Sequence, residues 1–76
     1  MDYILVTFQA GPRLTKELKV PVFVTPAELL AMLSEALGLD AGPERRLQAE
    51  PLGRILDHHR TLEEEGVVNG ALLTLV

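Results

Sequence analysis

The sequence predicts one α+β domain in which a single main helix packs on a sheet of about five strands. Two strand-like segments precede one capped amphipathic helix, and three further strand-like segments follow it. Turn signals containing Gly, Pro or Asn separate most of these segments. The chain has 76 residues, of which 47% are hydrophobic. These values suit a single domain over residues 1–76 with one packed core.

The first two predicted strands form an N-terminal hairpin. Residues 3–8 are rich in β-branched and aromatic residues, and Gly11-Pro12 supplies a turn. Every second side chain of residues 18–24 is apolar, which predicts a strand with one buried face. Pro21 has no amide donor, so this strand should lie at a sheet edge or direct that position outward.

The main helix is predicted from Pro26 to about Leu37. Thr25 and Glu28 form a capping box around Pro26, which is tolerated at the first helical position, and Gly38 supplies a left-handed stop. Apolar residues fall on one side of the helical wheel and are expected to pack on the sheet. They are Leu29, Leu30, Leu33, Ala36 and Leu37.

The C-terminal half is predicted to complete the sheet. Residues 40–43 are expected to form a loop. Short strands are predicted at 46–49, 55–56 and 71–76. Thr61 begins a second capping box, although only one helical turn fits before Gly66. Asn69-Gly70 marks the turn into the last strand.

Composition argues against several classes of partner. The net charge is −4, and the seven basic residues are scattered along the sequence, so neither nucleic acid nor an anionic membrane surface is an expected partner. No apolar run approaches the ~20 residues that span a bilayer, and the N-terminus lacks the basic start of a signal peptide. The chain has no cysteine, which fits a reducing compartment. We therefore expect a cytoplasmic protein without direct membrane insertion.

No catalytic, cofactor-binding or metal site is predicted, and the chain is interpreted as a non-enzyme. His58-His59 is read as a solvated turn, because adjacent histidines cannot easily ligate one metal and a zinc site usually needs three protein ligands. Residues 63–65, all Glu, are interpreted as a complement to the helix dipole, with an acidic docking spot as the alternative. The glycines are well separated, so none forms a phosphate-binding loop.

The order of predicted elements resembles the ubiquitin-like β-grasp fold, which has a mixed sheet and one main helix. The resemblance covers the whole chain and is most specific from Arg60 to Val76, where Thr61 opens the capped turn and Gly66 occupies the left-handed position. Ubiquitin and the bacterial sulfur carriers react through a C-terminal Gly-Gly. This sequence has no adjacent glycines, and Val76 still belongs to the predicted last strand.

The sequence is more similar to the YukD-like family, small bacterial ubiquitin-fold proteins without Gly-Gly that are associated with type VII secretion. The run Thr-Leu-Glu-Glu-x-Gly-Val-x-x-Gly from Thr61 to Gly70 carries this resemblance. It implies a non-enzymatic accessory or assembly module of a type VII-like secretion system, whose partners are proteins of that system. Two alternatives stay open: a degenerate modifier or sulfur carrier, and the cytoplasmic domain of a longer secretion-system membrane subunit. The oligomeric state also stays open.

The outer face of the sheet is the expected partner-binding surface. If alternate residues of the first and last strands point inward, the others point outward. The resemblance places these two strands side by side at the sheet centre. The expected surface comprises Tyr3, Leu5, Leu72 and Val76, with Gln48 and Arg46 beside them. Ordinary β-propensity on a solvated face is the alternative explanation, and Phe23 is a weaker candidate.

Overall fold

The computed structural model describes residues 2–39 and 44–76, so the loop predicted at 40–43 lies outside the described residues. The elements in chain order are β1 (Tyr3–Ala10), β2 (Leu14–Pro21), α1 (Pro26–Leu37), β3 (Leu47–Glu50), β4 (Arg54–Ile55), α2 (Leu62–Glu65) and β5 (Ala71–Leu75). The predicted α+β class with one main helix is confirmed.

The five strands form one mixed sheet in the order β2-β1-β5-β3-β4. β1 pairs antiparallel with β2 and parallel with β5, while β3 pairs antiparallel with both β5 and β4. The first and last strands are therefore parallel neighbours in the interior of the sheet, as the resemblance implied. β2 is an edge strand. This agrees with the prediction made from Pro21, which has no amide donor.

The core lies between the inner face of the sheet and the helices. Phe8, Leu47, Leu62 and Leu73 are completely buried. Burial of such side chains removes apolar surface from water and supplies the main driving force for folding. The α1 residues that pack into this core are Leu29, Leu30 and Leu33, with Leu37 partly buried. Ala36 is exposed, so its predicted packing on the sheet is wrong.

Both predicted helix caps are confirmed. The Thr25 hydroxyl accepts from the Glu28 amide at 3.2 Å, and the Glu28 carboxylate accepts from the Thr25 amide at 2.9 Å. Thr61 and Glu64 repeat the arrangement at 3.1 and 2.8 Å. Gly66 ends α2 with φ of 82°, a conformation that is costly for residues with a Cβ. These local sequence patterns fix where both helices begin.

The strand boundaries differ from the prediction, most of all in β2. This strand covers Leu14–Pro21 rather than 18–24, because its first half pairs with β1 through polar residues that carry no apolar alternation. The chain leaves the sheet after Pro21, although Val22 and Val24 remain buried. β1 extends two residues further than predicted, to Ala10, and the strands after α1 shift by one residue or end one residue early.

Candidate functional site

Two large apolar side chains of β1 point away from the core. Tyr3 is 47% exposed and Leu5 is 52% exposed, whereas the alternating residues Ile4 and Val6 are buried. This is the outcome expected from the period of two in a strand that lies in the interior of the sheet. Neither exposed side chain contributes to the core, so both are available for contacts with another molecule.

The backbone beneath Leu5 is held by the turn that precedes β5. The Asn69 side-chain oxygen accepts from the Leu5 amide at 2.7 Å, and the Gly70 amide donates to the Leu5 carbonyl at 2.7 Å. Parallel pairing of β1 with β5 begins only at Val6, which lies beside Ala71. The Asn69-Gly70 turn therefore extends the hydrogen bonding of β1 and fixes the position of Leu5.

A cation completes this surface. Lys19 is the cross-strand neighbour of Leu5, and its Nζ lies 5.4 Å from the centre of the Tyr3 ring, within the range of a cation–π interaction. Tyr3, Leu5, Lys19 and Asn69 border an open concavity of about 510 Å³, and we refer to these four residues as the Tyr3–Leu5 surface. It can receive an apolar side chain and place an acidic group of that ligand beside Lys19.

The strand register divides the patch predicted from the sequence. Leu72 lies beside Thr7 and is half-buried, two residues along the strand from the level of Leu5. Val76 lies four residues further along the chain, about 13 Å from Leu72 at the usual strand rise. Tyr3 and Leu5 are thus brought together with Lys19, and they are not brought together with Val76.

The remaining predicted site residues lie toward the other end of the sheet. The Val76 and Arg46 backbones exchange hydrogen bonds, at 2.9 Å from the Val76 amide and 3.2 Å from the Arg46 amide. Gln48 donates from its side chain to the Glu50 carboxylate at 3.0 Å. Ile55, the cross-strand neighbour of Gln48, is 54% exposed and was not among the predicted site residues. Its short strand offered too little alternation to assign a face.

Glu65 is buried, an environment that was predicted neither by the helix-dipole interpretation of residues 63–65 nor by the alternative of an acidic docking spot. Its carboxylate accepts from the Asp57 amide at 2.6 Å and from Arg54 Nη1 at 3.1 Å. The Asp57 amide is the largest cause of a lowered Glu65 pKa; burial opposes it, and Arg54 adds to it. This carboxylate therefore joins α2 to the β4 region. Only Glu63 and Glu64 of the run are exposed.

Three arginines from separate segments, before β3, in β4 and before α2, gather near this ion pair. Arg46, Arg54, His59 and Arg60 all border an open concavity of about 540 Å³, with Glu65 at its buried side. The arginines were predicted to be scattered, because their proximity depends on how β3, β4 and α2 pack. Arg54 is committed to Glu65, so part of this positive charge is neutralised internally.

The histidine pair has two different environments. His58 is half-buried and its Nε2 lies 2.8 Å from the Arg45 carbonyl oxygen, so the prediction of a solvated turn is wrong for this residue. His59 is exposed, as predicted. In the part of the chain that the structure describes, no group of three or more His, Cys, Asp or Glu is placed to hold a metal ion.

A family model described as protein YukD of the WXG100 protein secretion system (Wss) matches residues 3–75. No curated protein matches the sequence. Within residues 2–39 and 44–76, the helices are too short or too polar to cross a bilayer.

Several solved structures share the fold. A designed protein based on ubiquitin is 25% identical with a TM-score of 0.79, and the match covers 99% of this chain and 88% of that one. Ubiquitin of Caldiarchaeum subterraneum is also 25% identical, with a TM-score of 0.76 and coverage of 96% and 90%. The ubiquitin-like domain of an Arabidopsis thaliana protein is 19% identical, with a TM-score of 0.78 and coverage of 100% and 78%. The fold is therefore ubiquitin-like.

Proposed function

Because the chain belongs to the YukD family of the WXG100 secretion system, we propose that it is a non-enzymatic module that binds a protein component of such a system in the cytoplasm. The observation that carries this proposal is the Tyr3–Leu5 surface. Binding is non-covalent and uses the folded domain. The partner presents an apolar side chain to Tyr3 and Leu5 and a carboxylate to Lys19.

The exposure of this surface supports a binding role. Clusters of exposed apolar side chains with polar neighbours are typical of protein interaction sites. Tyr3 combines an apolar ring with a hydroxyl, a combination that is enriched at interfaces. The backbone hydrogen bonds from Asn69 and Gly70 hold Leu5 in place before any partner arrives. Such preorganisation reduces the entropy that is lost on binding.

The last strand is held in the sheet through Val76. Leu75 is only 8% exposed, and the Val76 backbone is hydrogen-bonded to Arg46 in both directions. Non-covalent binding through the folded domain leaves this packing and pairing intact.

The test is partner capture with Leu5→Asp. Tagged wild-type protein is expressed in the source organism and recovered, and co-purifying proteins encoded with the secretion system are identified by mass spectrometry. A candidate is then purified, and its affinity for each variant is measured by calorimetry. We expect Leu5→Asp to weaken binding by about 2 kcal/mol or more, the scale of an interface hot spot. The unfolding midpoint should change little because Leu5 is exposed.

Ile55→Asp is the matched control. Ile55 is an aliphatic residue of similar exposure to Leu5, and it lies in an edge strand of the same sheet. Its substitution should leave binding unchanged. Equal affinity of folded Leu5→Asp and wild type for the same secretion component would exclude the Tyr3–Leu5 surface as the binding site. An ATP-dependent covalent adduct at the C-terminus, formed by an activating enzyme of the same organism, would contradict the non-covalent mode.

A further inference from the structure

The outer edge of β2 is open to pairing. β2 has eight residues and is the first strand of the sheet order, so one side of its backbone has no strand beside it. Thr15, Lys16, Glu17 and Lys19 are all exposed, so the described part of the chain does not cover this edge. Unpaired amides and carbonyls along a strand edge are a template for another strand.

The alternation of hydrogen bonds in the β1–β2 hairpin shows which backbone groups of β2 face away from β1. The Val22 amide donates to the Asp2 carbonyl at 2.9 Å, and the two positions continue the register of β1 with β2. Since hydrogen-bonded pairs alternate along an antiparallel ladder, even-numbered residues of β2 face β1. The amides and carbonyls of Thr15, Glu17 and Lys19 therefore point away from β1, toward the open edge of the sheet. Pro21 lies in the same phase, so its carbonyl points toward the open edge and its missing amide hydrogen removes no bond to β1.

We propose that two copies of this chain pair antiparallel through β2, around a two-fold axis at Leu18. Glu17 of each copy then lies opposite Lys19 of the other, and the two residues exchange backbone hydrogen bonds. Their side chains lie on the outer face, because Lys19 is the cross-strand neighbour of the outward-facing Leu5. Leu18 meets Leu18 of the second copy on the inner face, where it already packs against the core. The two sheets become continuous.

Charge selects this register over its neighbours. An axis at Glu17 or at Lys19 would place like charges directly opposite each other, which is destabilising. An axis at Lys16 would bring the two Lys16 side chains together, and an axis at Val20 would place Lys19 opposite Pro21, which offers no donor. Only the axis at Leu18 gives two opposite-charge pairs and no like-charge pair. This self-complementarity is the argument for a second copy rather than a different extended peptide.

Two features keep the pairing short and specific. Pro21 lies opposite Thr15 of the second copy at each end of the ladder, where one of the two possible hydrogen bonds is lost. Lys16 lies on the inner face opposite Val20 of the second copy, and its long side chain can extend past this position to water. Proline and lysine at an edge discourage unspecific pairing. We therefore expect a weak and reversible dimer rather than aggregation.

The test is a charge exchange measured by sedimentation equilibrium from micromolar to millimolar concentration. We expect E17K and K19E each to weaken the dimer by roughly tenfold to a hundredfold, because both symmetric pairs become repulsive. The double variant E17K/K19E restores opposite charges and should recover most of the affinity. Thermal unfolding of every variant should resemble wild type, since both side chains are exposed.

Amide hydrogen exchange provides a second measurement on the wild-type chain. The amides of Glu17 and Lys19 should become more protected as concentration rises, while that of Leu18, already directed to β1, should not change. Wild-type protein that stays monomeric up to millimolar concentration would overturn the proposal. So would a dimer whose affinity is unaffected by E17K, or one that the double variant does not restore. These measurements use purified protein alone, so their outcome is independent of partner capture.

Discussion

Replacement of Glu65 by Ala should destabilise the domain more than replacement of an exposed Glu in the same helical turn. The carboxylate is buried and accepts from the Asp57 amide and from Arg54. Loss of a hydrogen bond to a charged group costs about 1.5–3 kcal/mol. The Arg54 side chain is 48% exposed, so its ion pair adds at most about 1 kcal/mol. We expect Glu65→Ala to lower the free energy of unfolding by about 2–4 kcal/mol.

Urea unfolding at pH 7 measures this effect, with Glu63→Ala as the control. Glu63 lies in the same helical turn but is exposed, so its substitution should stay within about 0.5 kcal/mol of wild type. Glu65→Gln should cost about 1 kcal/mol, because it retains an oxygen for the Asp57 amide but loses the charge. Equal unfolding midpoints for Glu65→Ala and Glu63→Ala would refute the assigned role of the buried carboxylate.

The same carboxylate predicts a pH dependence of stability. The pKa of Glu65 in the folded protein is lowered from its ordinary value of 4.5, first by the Asp57 amide and then by Arg54, against the effect of burial. Its ionised form therefore contributes stability that is fully present above pH 4.5 and is lost as pH falls through the folded-state pKa. The stability difference between wild type and Glu65→Gln should shrink on acidification. A difference that stays constant from pH 7 to pH 3 would contradict the lowered pKa.

Two further predictions concern α1 and the helix caps. Leu33→Ala should lower the free energy of unfolding by about 2–5 kcal/mol, because this side chain is buried in the core. Met32→Ala, at the exposed neighbouring position, should lower it much less. Coincident denaturant curves for these two variants would show that α1 packs differently. Thr25→Ala and Thr61→Ala should each cost about 0.5–2 kcal/mol, and Thr25→Ala should reduce the helical circular dichroism more because a twelve-residue helix follows it. Unchanged helical signal and stability in Thr25→Ala would count against its capping role.

Features of the fold that depend on nearby residues were predicted well from the sequence. The capping box at Thr25 involves a residue three positions away, and the alternation around Leu5 involves direct neighbours. The length of β2 was missed, because its polar first half is a strand only through pairing with β1. The burial of Glu65 was also missed, since it depends on Arg54, eleven residues earlier in the chain.

In the candidate site, too, local features were predicted and features that depend on distant residues were not. Alternation was sufficient to place Tyr3 and Leu5 on the outer face, but the relation of Val76 to them required the register between β1 and β5. No local pattern specifies that register, because it is set by which core side chains pack beneath the two strands. The cation–π contact of Lys19 with Tyr3 likewise depends on the hairpin register.

The parallel pairing of β1 with β5 has a consequence for the order of events during synthesis. β5 separates β1 from β3 in the sheet, so the N-terminal hairpin cannot join the β3–β4 pair until β5 has left the ribosome. Until then Phe8 and the other apolar residues on the inner face of β1 lack their neighbours from β5. Contacts between distant parts of a chain slow folding, because the intervening segment must first be closed into a loop. The nascent chain therefore reaches this fold only after β5 has been made, and forms that still lack β5 are the ones that depend most on protection from aggregation.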